Sequence, residues 1–273
     1  MIRDILVHVD GSAAGRARVE WTFALASRLG AEVVGAHMLS PVDPPPRYAP
    51  SDMARIVGDL ERAAQADAEA SEALFAAFAA DVAAPSRWIA RKDGKAHGLL
   101  DVSRCVDLIV LGQYETEGAA EHHPASLAED VVLGAGQPVL VTPARLRLPF
   151  RCQTVLLGWD GGQRAARAVR DALPLLEALR PDVEVVAMSE SGRQPPVEEL
   201  LRSLARHGVS AALTPSPAGD GPHGGVLADK LATGAFDLLV MGAFGRSIWA
   251  QFLLGGATQT VLSRASAPVL LSH

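Results

Sequence analysis

Residues 237–245 read Asp-Leu-Leu-Val-Met-Gly-Ala-Phe-Gly, and Gly255-Gly256 follow after nine more. An apolar strand that runs into glycines, with a second glycine pair opening a helix, has the chemistry of an anion cradle. Gly242 and Gly245 let the backbone approach a phosphate with no Cβ in the way. Gly255, Gly256 and Ala257 would present the free amides of a helix start, which attract anions. Arg246 and Ser247 could add a charge and a hydroxyl. Upstream, Asp160 follows an apolar run ending in Trp159. Its carboxylate could accept hydrogen bonds from a base amino group or a ribose hydroxyl, and the indole could wall a base pocket. Each residue also has a plainer reading. An aspartate between a strand and a helix is often a cap or turn residue. Gly255-Gly256 could simply permit a tight entry into the helix, and Trp159 could be core.

These residues sit in the second of two related halves. Ile5-Leu6-Val7-His8-Val9-Asp10-Gly11-Ser12 matches Val155-Leu156-Leu157-Gly158-Trp159-Asp160-Gly161-Gly162 at a shift of 150. Asp107–Gly112 matches Asp237–Gly242, and Gln137–Val141 matches Ala267–Leu271, both at a shift of 130. Three matched segments in the same order indicate a tandem repeat, with 20 residues missing from the middle of the second copy. The first copy's loop is eroded. The shift of 130 puts Gly112, Glu115, Ala125 and Ser126 at the loop positions, and Glu117 and Glu121 add negative charge. Like charges repel a phosphate and are costly to desolvate. The first copy is therefore expected to be structural or regulatory.

Near-continuous apolar runs alternate with helical stretches, the signature of βαβ units with right-handed crossovers and a sheet covered on both faces. Strands are expected near 3–9, 32–38, 86–91, 107–112 and 138–142, then 153–159, 183–188, 210–214, 236–242 and 267–272. Helices are expected near 13–29, 51–81, 95–104 and 125–135, then 162–179, 196–207, 222–233 and 256–265. The 20-residue deletion corresponds to a shortening of the long alanine-rich helix 51–81. Domains of 1–143 and 152–273 follow, joined by the short Pro143–Arg151 linker, which favours side-by-side packing. If the strand order in each is 3-2-1-4-5, ligands would lie beyond the strand ends between the first and fourth strands. Asp160 and Gly242 converge there.

The chain has 273 residues, 49% hydrophobic but only 5% aromatic, and a net charge of −6. Helices packed on parallel strands suit that composition, and no basic stripe points to nucleic acid. Cys105 and Cys152 have neither metal nor redox spacing and are read as reduced thiols. The charged N-terminus reads as a first strand rather than a leader. No apolar run reaches the ~18 residues of a membrane span. A soluble, cytoplasmic protein is expected. No Gly-x4-Gly-Lys-Ser/Thr loop or Gly-x-Ser-x-Gly elbow is present and no general base is identifiable near the γ-phosphate position, so no enzyme is expected and any ATP hydrolysis would be slow. His122-His123 is read as solvated loop.

The strand-Asp-Gly openings, the Asp-Leu-Leu-Val-Met-Gly strand, the Gly-x2-Gly-x9-Gly loop and the closing Ala-Pro-Val-Leu-Leu strand together resemble the universal stress protein family in its tandem two-domain form. The resemblance covers nearly the whole chain. It implies two Rossmann-like α/β domains of the adenine nucleotide alpha hydrolase-like kind, each with a five-stranded parallel sheet. It also implies that the strands 138–142 and 267–272 pair antiparallel as an intramolecular pseudo-dimer, with further homodimerisation open. Some members bind ATP through the glycine loop and others have lost it. By analogy the adenine-binding positions are Asp160 and Met188, and the cofactor is ATP, with no metal beyond an accompanying Mg²⁺. ATP-binding relatives end the loop in Gly-Ser or Gly-Thr, where this chain has Gly256. Two functions therefore stand: a stress-response regulator that binds a nucleotide in its C-terminal half and acts through partner contacts, or a nucleotide-free protein that works through its pseudo-dimer surface.

Overall fold

The computed structural model describes residues 1–39, 50–82, 84–113, 127–188, 195–214, 223–244 and 256–273. Its first half runs β1 (Asp4–His8), α1 (Ala13–Leu29), β2 (Glu32–Met38), α2 (Pro50–Val82), β3 (Ser86–Arg91), α3 (Lys95–Ser103), β4 (Leu108–Gly112), α4 (Leu127–Gly134) and β5 (Val139–Thr142). The second half runs β6 (Thr154–Trp159), α5 (Gln163–Leu179), β7 (Asp182–Ala187), α6 (Val197–Arg206), β8 (Ala211–Thr214), α7 (His223–Ala232), β9 (Leu238–Gly242), α8 (Ala257–Arg264) and β10 (Val269–Ser272). All ten expected strands are present. The shortened helix falls where the repeat places it, with 33 residues in α2 against 10 in α6.

The strands form one sheet in the order β3-β2-β1-β4-β5-β10-β9-β6-β7-β8. Each half has the expected 3-2-1-4-5 order, and pairing within a half is parallel. The halves meet where β5 and β10 run antiparallel, Val141 opposite Val269 and Leu140 opposite Leu270. That pairing removes two edges that would otherwise expose unpaired backbone.

Strand alternation sends side chains to two cores that both cross the seam. Val7, Leu140, Leu157 and Leu270 face α1, α2, α5 and α6, packing on Phe23, Phe75 and Leu176. Leu6, Ile109, Val139, Leu156 and Val269 face α3, α4, α7 and α8, packing on Leu99, Val131, Leu227 and Val261. Each fully buried side chain of this size contributes about 1.5–3 kcal/mol.

The repeated aspartates that precede β4 and β9 are structural clamps. The Asp107 carboxylate accepts the amides of Arg3 (2.6 Å) and Asp4 (3.2 Å). Asp237 does the same for Gln153 (2.8 Å) and Thr154 (3.2 Å). Each ties the start of a fourth strand to the start of a first, setting the register that brings their far ends together. The burial of Cys152, then the nearby Asp237 carboxylate, pushes its thiol up to about 12, which keeps it protonated. No helix among the described residues is long and apolar enough to cross a membrane.

Candidate functional site

In the second half the crevice opens beyond β6 and β9, which are hydrogen-bonded neighbours although β7 and β8 lie between them in chain order. Asp160 follows β6. Its Oδ1 accepts the amide of Gly162 at 2.7 Å, an aspartate turn that feeds the chain into α5. Gly242 ends β9. A Cβ there would stand 2.6 Å from the backbone of Arg164 and Ala165, so the glycine is required by the close packing of α5. Phe244, two residues on, has φ +53, an uncommon conformation for a bulky residue.

One contact joins the two ends of the loop. The Phe244 amide donates to the Thr258 hydroxyl at 2.9 Å, and Thr258 is buried in the first turn of α8. This holds the start of α8 against the end of β9. Gly256 is the N-cap, in extended conformation and with no side-chain cap hydrogen bond, and Ala257 is the first helical residue. The Thr258 hydroxyl stands two residues past the position where Gly256 lacks one, and its oxygen accepts from the Phe244 amide. Gly245, Arg246, Ser247 and Gly255 lie outside the described residues.

Trp159 and Met188 do not share a wall. Trp159 belongs to the core on the α5 face and Met188 to the core on the α7 face. Both are 8% exposed, and the Trp159 ring nitrogen is buried with no hydrogen-bond partner among the described residues. Met188 Cε and Leu227 Cδ1 crowd Gly158, 3.2 and 3.0 Å from where its Cβ would be. The end of β6 at Gly158 is thus closely packed on the α7 face.

The first copy's crevice is filled by a residue the sequence reading missed. Arg18, on α1, is 2% exposed. Its Nε donates to the His8 carbonyl at the end of β1 (2.9 Å), its Nη2 pairs with Asp10 (2.5 Å), and its Nη1 lies against Gly112 at the end of β4. One guanidinium therefore bridges the two strand ends that define the crevice. Burial opposes ionisation of Asp10, but Arg18 and then the Ser12 hydroxyl outweigh it and hold the carboxyl at about 2. His8, on the other face of the sheet, is lowered to about 3 by burial, then by Arg18, with Asp10 opposing, and is neutral. The counterparts in the second copy are Ala168 and Gly158. An arginine on the buried face of a helix, with no match in the repeat, was the available signal. Glu115, Glu117, Glu121, Ala125, Ser126 and the His122-His123 pair lie outside the described residues. Among the described residues no His, Cys, Asp and Glu cluster could hold a metal ion.

The model of the universal stress protein family matches residues 1–143 and 219–273. The chain belongs to the universal stress protein family. Its Rossmann-like α/β fold recurs among solved members. A universal stress protein from Archaeoglobus fulgidus DSM 4304 matches at TM-score 0.68 and 15% identity, over 98% of this chain and 95% of that one. A putative universal stress protein from Pseudomonas aeruginosa UCBPP-PA14 matches at TM-score 0.56 and 15% identity, over 99% and 93%. At these identities the likeness is one of fold. No curated protein matches the chain.

Proposed function

We propose that this protein is a nucleotide-responsive regulator of the stress response, with two units at 1–143 and 152–273. ATP or a related nucleotide occupies the C-terminal crevice and acts by changing contacts with protein partners. The observation that carries the reading is the Thr258–Phe244 hydrogen bond, which keeps the uncapped start of α8 beside the end of β9, across the crevice from Asp160. The amides of a helix start suit a phosphate. Asp160, Met188, Gly242, Gly256 and Ala257 border the region, and Trp159 would act from the core as a support. Gly245, Arg246, Ser247 and Gly255 would complete the cradle, with Mg²⁺ accompanying the phosphates. A family member solved in complex with cAMP matches 44% of this chain at TM-score 0.35, too distant to argue for the ligand here.

The N-terminal crevice, bolted by Arg18, takes a structural role in this reading, and the β5–β10 seam supports an internal pseudo-dimer. The protein is not an enzyme; background phosphate release from ATP would bear that out, and turnover would refute it. Calorimetric titration with ATP tests the main proposal. Saturable heat that disappears in Gly245→Leu, with the fold retained, supports it. No heat and no thermal shift at millimolar ATP returns the function to the alternative, a nucleotide-free protein acting through its pseudo-dimer surface.

A further inference from the structure

A cavity of about 230 Å³ lies at the opposite end of the sheet from the glycine loop, at the starts of three adjacent strands. Thr154 begins β6, Asp237 precedes β9 and Pro268 precedes β10, and all three line it. Trp21 of α1, 4% exposed, lines it from the first half and meets Phe150 of the linker edge-on at 4.9 Å. The repeat explains the room. Where the first half has Arg104, Cys105 and Gln137, the second has Gly234, Ala235 and Ala267. In the first half the Gln137 amide donates to the Arg104 carbonyl at 3.4 Å. The methyl side chain of Ala267 cannot donate to the matching carbonyl of Gly234. Arg147 of the linker does so instead, from Nη1 at 3.0 Å. Three side chains are thus trimmed, and a guanidinium is brought to the wall of the space they leave.

The charged groups of the lining are Arg147, Arg151 and Asp237, which leave a surplus of one positive charge. Asp237 Oδ2 already accepts the amides of Gln153 and Thr154. Arg151 Nη2 donates to Gln153 Oε1 at 3.2 Å. Each guanidinium has five N–H groups to give. Arg147 and Arg151 are exposed, each spends a donor on a neutral oxygen, and neither forms an ion pair among the described residues. Trp21 and Phe236, 6% exposed, supply an apolar wall beside them. The volume falls below the ~300 Å³ at which drug-sized pockets begin, so the space suits a smaller molecule. An apolar wall next to unpaired guanidiniums matches a ligand with a ring or short chain and one carboxylate. Burial of the body drives binding, and a guanidinium meets a carboxylate with two parallel hydrogen bonds. We propose that this cavity binds a small organic carboxylate, its apolar body against Trp21 and Phe236 and its carboxylate on Arg147 and Arg151. Because the walls come from both halves, the bound molecule fastens α1 of the first half to the sheet of the second. The proposal is independent of the nucleotide reading.

The test is calorimetric titration of the full chain with phenylacetate, hexanoate, phenylacetamide and acetate, while the indole resonance of Trp21 is followed by NMR. Phenylacetate or hexanoate should bind saturably at millimolar concentration or below and move that resonance. Phenylacetamide, which lacks the charge, and acetate, which lacks the apolar body, should each bind about tenfold more weakly or not at all. Arg151→Gln should weaken the binding acid about tenfold. Ala235→Phe fills the cavity from an exposed position and should abolish binding with the melting temperature retained. Arg147→Gln should act like Arg151→Gln; because Arg147 also holds the Gly234 carbonyl, Arg151→Gln and Ala235→Phe decide the matter if that variant fails to fold. The proposal is overturned if neither acid gives heat or a Trp21 shift, if the amide or acetate binds as well as the acid, or if Arg151→Gln or Ala235→Phe leaves the affinity unchanged.

Discussion

Replacing Arg18 with methionine keeps the length of the side chain and removes its charge. The structure lets the cost be worked out. Arg18 is 2% exposed and makes a charged hydrogen bond to the His8 carbonyl and an ion pair with Asp10. Breaking a buried pair by removing one partner costs about 3–5 kcal/mol, because the other charge is left behind. Asp10 retains one third of its side-chain exposure and can recover some hydration, so the lower end, about 3 kcal/mol, is expected. The assay is urea unfolding at pH 7 of the wild type, Arg18→Met, Asp10→Asn and the double variant. The double variant should be less destabilised than the sum of the singles, with a coupling of about 1–3 kcal/mol. Acid sensitivity should change too. Asp10 has a folded pKa of about 2, below its ordinary 3.8, so its contribution is present above pH 4 and is lost as the pH falls toward 2. Arg18→Met should remove that acid-labile share. An Arg18→Met loss below 1 kcal/mol, with no coupling to Asp10, would refute the view that the guanidinium bolts the first crevice shut.

Three further outcomes are expected. His8 is lowered from 6.5 to about 3, so between those values the unfolded chain binds a proton that the folded chain does not; stability should fall with decreasing pH by up to about 1.4 kcal/mol per unit, and His8→Asn should flatten the slope between pH 6 and 4.5 in urea titrations. Gly242→Ala should destabilise by about 2 kcal/mol or more, since its Cβ would stand 2.6 Å from helix backbone; Gly30→Ala, at φ +65 with open space around it, should cost only the left-handed penalty of about 1–2 kcal/mol, and equal thermal shifts in the two would contradict the packing argument. Thr258→Val should leave the Phe244 amide without a partner, cost about 1–3 kcal/mol and weaken any ATP binding, while Thr258→Ser should be near neutral in both melting and titration.

Much of the architecture was legible before any coordinates. Near-continuous apolar runs alternating with helical stretches located every strand, and the two shifts of the repeat placed the helix deletion in α2's counterpart. Local chemistry decided these features: Ser12 caps α1 by accepting the Gly15 amide at 2.8 Å, and Gly30 closes it in the left-handed region. Such signals lie within a few residues of what they specify. The antiparallel β5–β10 seam came from the family resemblance, because nothing in either strand alone names its partner across the chain.

The sequence by itself determined the duplication, the succession of strands and helices and the glycine-rich positions, because repetition and apolar runs are written along the chain. Only the tertiary structure decided what those positions do. Gly242 is a glycine because α5 lies on it, Trp159 and Met188 part to opposite faces because strand side chains alternate, and Arg18 seals one crevice because its guanidinium spans strand ends that are about a hundred residues apart in the chain. Side-chain partners at that separation are set by packing, which no local pattern encodes.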